Sequence, residues 1–161
     1  MQVHSLELED FIDSDYSLIS IHTSLEDYKL AYLMNTHLKT FFEKSKPDLE
    51  IKESNQNALF SIFKYEDEVQ FNTWYLISNK FHGKSIQPIS NGLFQTMNES
   101  VNTTSYLVPE KKKMDFLLKI EGDMDTFQIH EIVQKIKTIK QVMTSYVIDL
   151  TTLKSKDFLI F

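Results

Sequence analysis

The chain contains no cysteine and no arginine, and only three of its 161 residues are glycine. Without cysteine there is no disulfide, thiolate ligand or thiol nucleophile. Arginine supplies the planar fork that grips phosphates and guanine edges, so its absence argues against a nucleic-acid partner; a genome that encodes its basic residues as lysine is a second explanation. Three isolated glycines cannot build a phosphate-binding loop, so we expect no nucleotide cofactor.

Long apolar runs are missing as well. No window approaches the roughly 18 apolar residues of a membrane span, so we expect no membrane contact. Residues 1–15 carry five acidic residues and no lysine, which is not typical of a secretory signal. These features predict a cytoplasmic protein that begins with an acidic segment, residues 1–15.

What the sequence does contain is enough apolar material for one core. Its hydrophobic content is 42 %, with twelve Phe and seven Tyr. A chain of this length is too short for two comfortable domains. We therefore predict a single domain over residues 16–161.

Hydrophobic periodicity in the first half predicts a strand, a helix and a hairpin. Residues 16–22 alternate in polarity. Thr23 and Glu26 have capping-box spacing ahead of a helix predicted over residues 25–44. Residues 59–65 and 71–79 alternate again and predict a hairpin around a charged turn.

The second half repeats the strand–helix order. Residues 114–121 predict a strand, Asp125 and Gln128 cap a helix over residues 126–139, and residues 142–150 form another strand. The apolar tail, residues 156–161, is strand-like. Between the halves, residues 80–105 form a long polar connection, either a mobile lid or an irregular excursion.

These elements predict an α+β fold in which two helices pack on one face of an antiparallel-rich sheet. Our first choice of topology is a decorated ferredoxin-like, or split βαβ, arrangement, because two strand–helix units flank the antiparallel middle.

Two isolated residues are candidates for a site. His22 ends the first strand next to a helix N-terminus, where ligands often bind, although a histidine that merely fills a strand end looks the same. Trp74 lies on a strand as either an exposed interface anchor or a core residue. No metal-ligand spacing, nucleophile elbow or acid–base pair is recognisable. We assign no catalytic, cofactor-binding or metal-binding residue and expect no enzyme.

The most specific stretch is residues 108–116, Val-Pro-Glu-Lys-Lys-Lys-Met-Asp-Phe. It resembles the defining pattern of the IPExxxVDY family, a group of small bacterial proteins. Pro109, Glu110 and Asp115 match the pattern, whereas Phe116 stands where the family has tyrosine and so lacks a hydroxyl. The resemblance implies a stand-alone cytoplasmic domain and supplies no mechanism. It spans nearly the whole chain, from residues 16–19 through residues 74–79 to residues 154–156.

The same stretch also has a purely physical interpretation. Pro109 fixes its own φ and extends the residue before it, which suits the start of a strand. Glu110 and Asp115 either accept backbone N–H groups that fix the bend or belong to a docking surface. The three lysines between them are either an anion site or a solvated turn.

Two functional hypotheses follow. The first is a non-enzymatic protein–protein interaction module, with a homodimer as one form, that uses an exposed sheet edge or face. The apolar tail, Phe158–Phe161, invites strand addition unless its own fold covers it. The second is a small-molecule sensor of the ACT-like kind, with its ligand near His22 and Asp125. An unrecognised hydrolase would require a polar pocket with a perturbed carboxylate or histidine.

Overall fold

The computed structural model describes residues 16–54, 56–89 and 97–161. The predicted acidic segment, residues 1–15, and the middle of the predicted polar connection, residues 90–96, lie outside these ranges. Within them the chain forms ten strands and two α-helices. In chain order these are β1 (Tyr16–Thr23), α1 (Asp27–Leu38), β2 (Glu43–Lys44), β3 (Leu49–Lys52), β4 (Asn57–Phe60), β5 (Ile62–Asp67), β6 (Asn72–Ser78), β7 (Lys80–Ile89), β8 (Met97–Tyr106), β9 (Phe116–Glu121), α2 (Thr126–Lys137) and β10 (Val142–Val147).

Six strands form one antiparallel sheet in the order β10-β1-β9-β6-β5-β2. The other four strands form two separate two-stranded sheets, β3–β4 and β7–β8. The predicted α+β class is therefore confirmed. The ferredoxin-like topology is not confirmed, because the main sheet has six strands and two further ladders lie outside it.

The main sheet carries apolar side chains on both faces, so it has two cores. Both helices contribute to the core on one face, as predicted, and we call this the helix-side core. The second core covers the opposite face, where β4 and the segments that follow β8 and β10 pack. Its largest fully buried members are Leu18, Phe60, Ile77, Leu107, Met114 and Leu117.

The predicted hairpin is present as β5 and β6, paired from Ile62 with Ile77 to Asp67 with Asn72. Its first strand begins three residues later than predicted. The reason is that residues 57–60 form β4 and pair with β3 instead.

Helix α1 differs from its prediction at both ends. It spans 12 residues rather than 20, because Lys39 adopts a left-handed conformation with φ 58° and ends the helix. The predicted capping box is wrong. Glu26 is the N-cap and makes no side-chain cap bond, while the Thr23 hydroxyl donates to the Gln141 carbonyl at 2.8 Å.

Helix α2 begins as the sequence predicted. The Asp125 carboxylate accepts the Gln128 backbone N–H at 2.8 Å, and the Gln128 side-chain oxygen accepts the Asp125 backbone N–H at 3.1 Å. This reciprocal capping box satisfies two N–H groups that the first helical turn leaves unpaired.

The predicted irregular connection at residues 80–105 is instead largely a ladder. β7 and β8 pair antiparallel from Lys80 with Tyr106 to Ile89 with Met97. The polar composition misled the prediction, because backbone pairing satisfies the main-chain groups whether or not the side chains are apolar.

The apolar tail is not a strand. Lys156–Leu159 forms a 3₁₀ turn, and Leu159 is 1 % exposed in the second core, whereas Ile160 is 80 % exposed. The Lys119 ammonium, itself buried, donates to the Leu159 carbonyl at 2.6 Å and lies 4.6 Å from the centre of the Phe161 ring. The tail thus closes on its own sheet.

Within the described ranges, the helices are too short and too polar to cross a membrane.

Candidate functional site

The segment from Val108 to Asp115 folds around one buried amide, that of Asn79. This side chain follows β6 and is 0 % exposed. Its nitrogen donates to the carbonyls of Lys111, at 3.0 Å, and Met114, at 2.9 Å, and its oxygen accepts the Val108 N–H at 2.8 Å. Three side-chain bonds to one turn make Asn79 the organiser of the segment.

Pro109 opens a 3₁₀ turn over residues 109–111. Val108 before it has φ −116° and ψ 89°, which lies outside the α region that proline disfavours for its predecessor. The turn aims Glu110 at the segment after β10. One carboxylate oxygen accepts the backbone N–H groups of Lys154 at 2.7 Å and Ser155 at 2.9 Å, and the other accepts the Ser155 hydroxyl at 2.8 Å.

These contacts change the acidity of Glu110. Burial alone would raise its pKa, but hydrogen bonds from the Ser155 backbone, its own backbone, the Ser155 hydroxyl and the Lys154 backbone lower the pKa to about 2. The carboxylate is therefore ionised and fully engaged at neutral pH, and acts as an architectural clamp.

Asp115 is engaged in the same way. One of its oxygens accepts the Thr23 backbone N–H at 2.9 Å, and the other accepts the Lys80 ammonium at 2.6 Å. The side chain thus joins the end of β1 to the start of β7. Both acids of the segment accept backbone N–H groups. Of the two roles considered from the sequence, fixing the backbone or forming a docking surface, these contacts correspond to the first.

A groove of about 370 Å³ lies beside this segment. We call it the lysine groove, and its lining residues are His22, Pro109, Glu110, Lys111, Lys112, Lys113, Met114 and Tyr146. Three of the residues singled out from the sequence, His22, Pro109 and Glu110, therefore meet at one place.

The His22 ring forms one wall of the groove. It stacks on Tyr146 of β10 with ring centres 5.6 Å apart and planes inclined by 29°. The Ser20 hydroxyl lies 2.9 Å from His22 Nε2. Because side chains alternate along a strand, Ser20 and His22 share the face of Leu18, which lies in the second core. The groove is therefore on the face away from the helices.

Three consecutive lysines give the groove its charge. None of Lys111, Lys112 and Lys113 takes part in an ion pair among the described residues, and Lys112 and Lys113 are exposed. The Lys112 ammonium lies 5.6 Å from the centre of the Tyr106 ring. The one acid in the lining, Glu110, is already engaged. With three lysines and one carboxylate in its lining, the groove carries a net positive charge beside Pro109 and the buried Met114.

The structure does not bring the remaining candidates to the groove. Trp74 is 5 % exposed in the helix-side core, where its ring nitrogen donates to Asn72 at 2.6 Å and its ring lies edge-on to Phe42 and Tyr65. Phe116 is buried in the same core.

The site expected near His22 and Asp125 together is not formed either. Tyr16 pairs with Glu121 at one end of the β1–β9 ladder, and Ile21 pairs with Phe116 at the other. Asp125 follows Glu121, so it lies at the opposite end of the sheet from His22.

The two edges of the main sheet differ sharply. β2 has two residues, Glu43 and Lys44, both exposed and charged. β10 has six residues, Val-Met-Thr-Ser-Tyr-Val, with no charge and no proline. Met143 is 74 % exposed, and Tyr146 and Val147 are 40 % exposed each. β10 therefore lacks the charges and proline that usually protect a sheet edge.

Sequence reasoning missed one further feature, the tip of the β5–β6 hairpin, residues 68–71. The Asp67 carboxylate accepts the N–H groups of Val69 at 2.9 Å and Gln70 at 3.0 Å. Phe71 adopts a left-handed φ of 53°, and the side chains of Val69 and Phe71 are each 87 % exposed. The sequence signalled only a charged turn.

Among the described residues no group of three histidine, aspartate or glutamate side chains is placed to hold a metal ion.

Comparison with protein-family models, with curated proteins and with solved structures found no match to this chain. Membership of the IPExxxVDY family therefore stays a prediction.

Proposed function

We propose that this protein is a non-enzymatic protein–protein interaction module whose contact surface is the lysine groove together with the adjoining strand β10. The observation that carries the proposal is that the acidic and basic residues of the Pro109 segment have different roles. Glu110 and Asp115 are engaged as architectural clamps, while Lys112 and Lys113 between them are exposed. Glu110 accepts three hydrogen bonds and its pKa is lowered to about 2, so it is poorly matched to acid–base work at neutral pH. Exposed cations beside an apolar floor, by contrast, suit contact with an acidic partner.

Strand β10 adds the second half of the contact surface. Its outer edge carries backbone groups that another extended chain can pair with, which is the basis of recognition by strand addition. Tyr146 belongs to both β10 and the groove, so the two parts of the surface are continuous. A partner strand that paired with β10 would therefore place some of its own side chains next to the groove. A second copy of this chain is one such partner.

The likeness to the IPExxxVDY family fits this proposal, because Pro109, Glu110 and Asp115 all build the turn that carries the lysines. In this proposal the fixed positions of the family pattern maintain the turn, and the three lysines between them contact the partner. The proposal places the protein in the bacterial cytoplasm.

The test is a comparison of variants in a quantitative recovery experiment from native lysate. Lys112→Glu with Lys113→Glu reverses the groove charge, and Thr144→Lys puts a charge on the β10 edge. We expect the same partner proteins to decrease at least about tenfold in both variants, which corresponds to a loss of about 1.4 kcal/mol. Circular dichroism checks that both variants remain folded.

Ile160→Lys is the matched control, since Ile160 is exposed and lies outside the groove and β10. It should retain the partners at the wild-type level. A partner set that is unchanged in the groove and edge variants would rule out this contact surface.

The second candidate is the small-molecule sensor, and one observation favours it. The lysine groove, at about 370 Å³, is within the size range of small-ligand sites and includes His22. A ligand that binds the folded state raises the unfolding temperature. A thermal-shift screen of amino acids and nucleotides at millimolar concentration, repeated on the groove variant, tests this candidate. A shift that is lost with Lys112→Glu and Lys113→Glu would favour the sensor over the interaction module.

A further inference from the structure

The tip of the β5–β6 hairpin presents apolar side chains that the fold itself does not use. The side chains of Val69 and Phe71 are each 87 % exposed, so neither the Phe71 ring nor the Val69 methyl groups belong to a core. Phe71 also occupies a left-handed conformation, φ 53°, that glycine or asparagine adopts far more readily. A bulky residue kept in an unfavourable conformation without packing contacts points to a role outside its own fold.

The chain holds the tip in place rather than leaving it free. Asp67 accepts two backbone N–H groups of the loop, and Glu66 pairs with Lys64 in the neighbouring part of β5. Residues 66–71 contain three acids and no base, and Glu68 projects into solvent next to Val69. The tip is thus a fixed apolar projection with an acidic rim.

The lysine groove has the complementary properties. Its floor includes Pro109 and Met114, its wall is the stacked His22–Tyr146 pair, and its rim carries three lysines. Aromatic rings pack well against such a pair, and a groove of this volume admits one aromatic side chain. The apolar projection with its acidic rim is therefore complementary to the apolar groove with its basic rim.

We propose that the hairpin tip of one copy docks into the lysine groove of a second copy, with Phe71 against the His22–Tyr146 wall and Glu68 near Lys112 and Lys113. The inference rests on the proposed function, for which it names the partner. Opposite charges at the rim fix the orientation and speed the encounter.

The positions of the two surfaces determine the form of the assembly. The tip follows Asp67 and Asn72, next to the Thr73–Glu121 end of the sheet, and the groove lies at the His22 end. We take the contact to be heterologous, so that the tip of one copy binds the groove of the next, copies add head to tail, and an open tip and an open groove remain at the ends. Two antiparallel copies that each bound the other's groove would instead stop at the dimer.

The contact is small and its strength should be modest. A single hairpin tip in one groove buries less than the roughly 1,200 Å² of a standard interface. We expect a dissociation constant on the order of 10–100 μM. Since the rim charges are solvent-exposed, raising the salt from about 0.1 M to about 1 M shortens the screening length from about 10 Å to about 3 Å and should weaken the association.

Sedimentation velocity on the full chain, up to about 1 mM protein, tests the proposal. The wild-type weight-average mass should rise with concentration through dimer to longer species. Phe71→Asn removes the ring and suits the left-handed conformation, so it stays folded, and it should be monomeric. Lys112→Glu with Lys113→Glu should also be monomeric. Ile160→Asn, an exposed apolar residue elsewhere, should associate as the wild type does.

Mixing the two monomeric variants gives the decisive result. Phe71→Asn keeps a working groove, and the double lysine variant keeps a working tip. An equimolar mixture should therefore form a dimer and nothing larger, since each dimer retains only one defective tip and one defective groove. This restoration requires the intact tip of one variant to bind the intact groove of the other, and it cannot arise if either variant is misfolded.

Three outcomes overturn the inference. A wild-type protein that stays monomeric at the highest concentration refutes it, as does association that survives Phe71→Asn, or a mixture that stays monomeric. Association that is lost only with Thr144→Lys would replace the tip contact by pairing of β10 edges, which leaves the proposed function standing. Loss of partners in the lysate comparison is measured separately, so the two proposals can fail independently.

Discussion

The carboxylate of Glu110 grips Ser155 through both of its oxygens, one on the backbone N–H at 2.9 Å and the other on the side-chain hydroxyl at 2.8 Å. The two residues are 45 positions apart, so the bond ties the Pro109 turn to the segment that follows β10. That segment continues into the tail that covers the second core. The acid of the most distinctive sequence pattern thus serves the fold, which leaves the lysines beside it for contact.

The first prediction concerns Glu110→Gln. The folded-state pKa of Glu110 is lowered from 4.5 to about 2, so its stabilisation is present above pH 4.5 and is lost as the pH falls from there towards 2. Because Glu110 is exposed, solvent screening limits the contribution to about 1 kcal/mol. In urea unfolding, the free energy of unfolding of the wild type should fall by about 1 kcal/mol more between pH 6 and pH 2.5 than that of the variant.

The control for that measurement is Glu131→Gln, which removes an exposed ion pair with Lys135. It should leave the pH dependence within about 0.5 kcal/mol of the wild type. Parallel curves for the wild type and Glu110→Gln would contradict the clamp.

The second prediction concerns Asn79→Ala. The change removes the Asn79 partner of the Val108 N–H and of the Met114 carbonyl, while the Lys111 carbonyl loses one of its two donors and keeps the Met114 N–H. Buried unsatisfied groups cost about 1–3 kcal/mol each at most, so we expect a loss of about 2–4 kcal/mol in the free energy of unfolding. Asn57→Ala, at an exposed amide that bonds Glu50, should cost about 0.5 kcal/mol or less. Equal losses in the two variants would show that Asn79 does not organise the segment.

The third prediction compares two neighbours in the tail. Leu159→Ala removes a fully buried side chain from the second core and should cost about 2–4 kcal/mol. Ile160→Ala removes an exposed one and should cost about 0.5 kcal/mol or less. Chemical denaturation of both variants measures the difference. A tail that pairs as an edge strand with another chain would reverse the order at high protein concentration.

The fourth prediction concerns the strained tip. Phe71→Asn replaces a residue that is disfavoured at φ 53° by one that tolerates it, and should raise the free energy of unfolding by about 0.5–1 kcal/mol. Val69→Asn, at an equally exposed position with ordinary φ, should change it by less than about 0.5 kcal/mol. Thermal unfolding of dilute protein measures both. A destabilised Phe71→Asn would mean that the ring packs within its own fold.

The sequence predicted the elements whose signals are local. Alternation located β1, the β5–β6 hairpin and β9, and the spacing of Asp125 and Gln128 identified the start of α2. The fold class followed from the order of these elements.

What the sequence could not predict depends on distant partners. Asn79 binds groups 29 to 35 positions away, and Glu110 binds groups 44 and 45 positions away. Nothing near either residue marks these bonds. The stacking of His22 on Tyr146 likewise requires β1 to pair with β10. An apolar tail, too, looks the same whether it pairs as a strand or packs as a 3₁₀ turn.

Photo-cross-linking in living cells tests most directly whether the lysine groove is a contact surface. A photoreactive residue replaces Lys113 in the groove or, as the control, Lys137, which is exposed at the end of α2. The account predicts discrete cross-linked species from position 113 that are absent at position 137 and disappear when Lys112→Glu is added. Equal cross-linking at the two positions, or none at position 113, would contradict it.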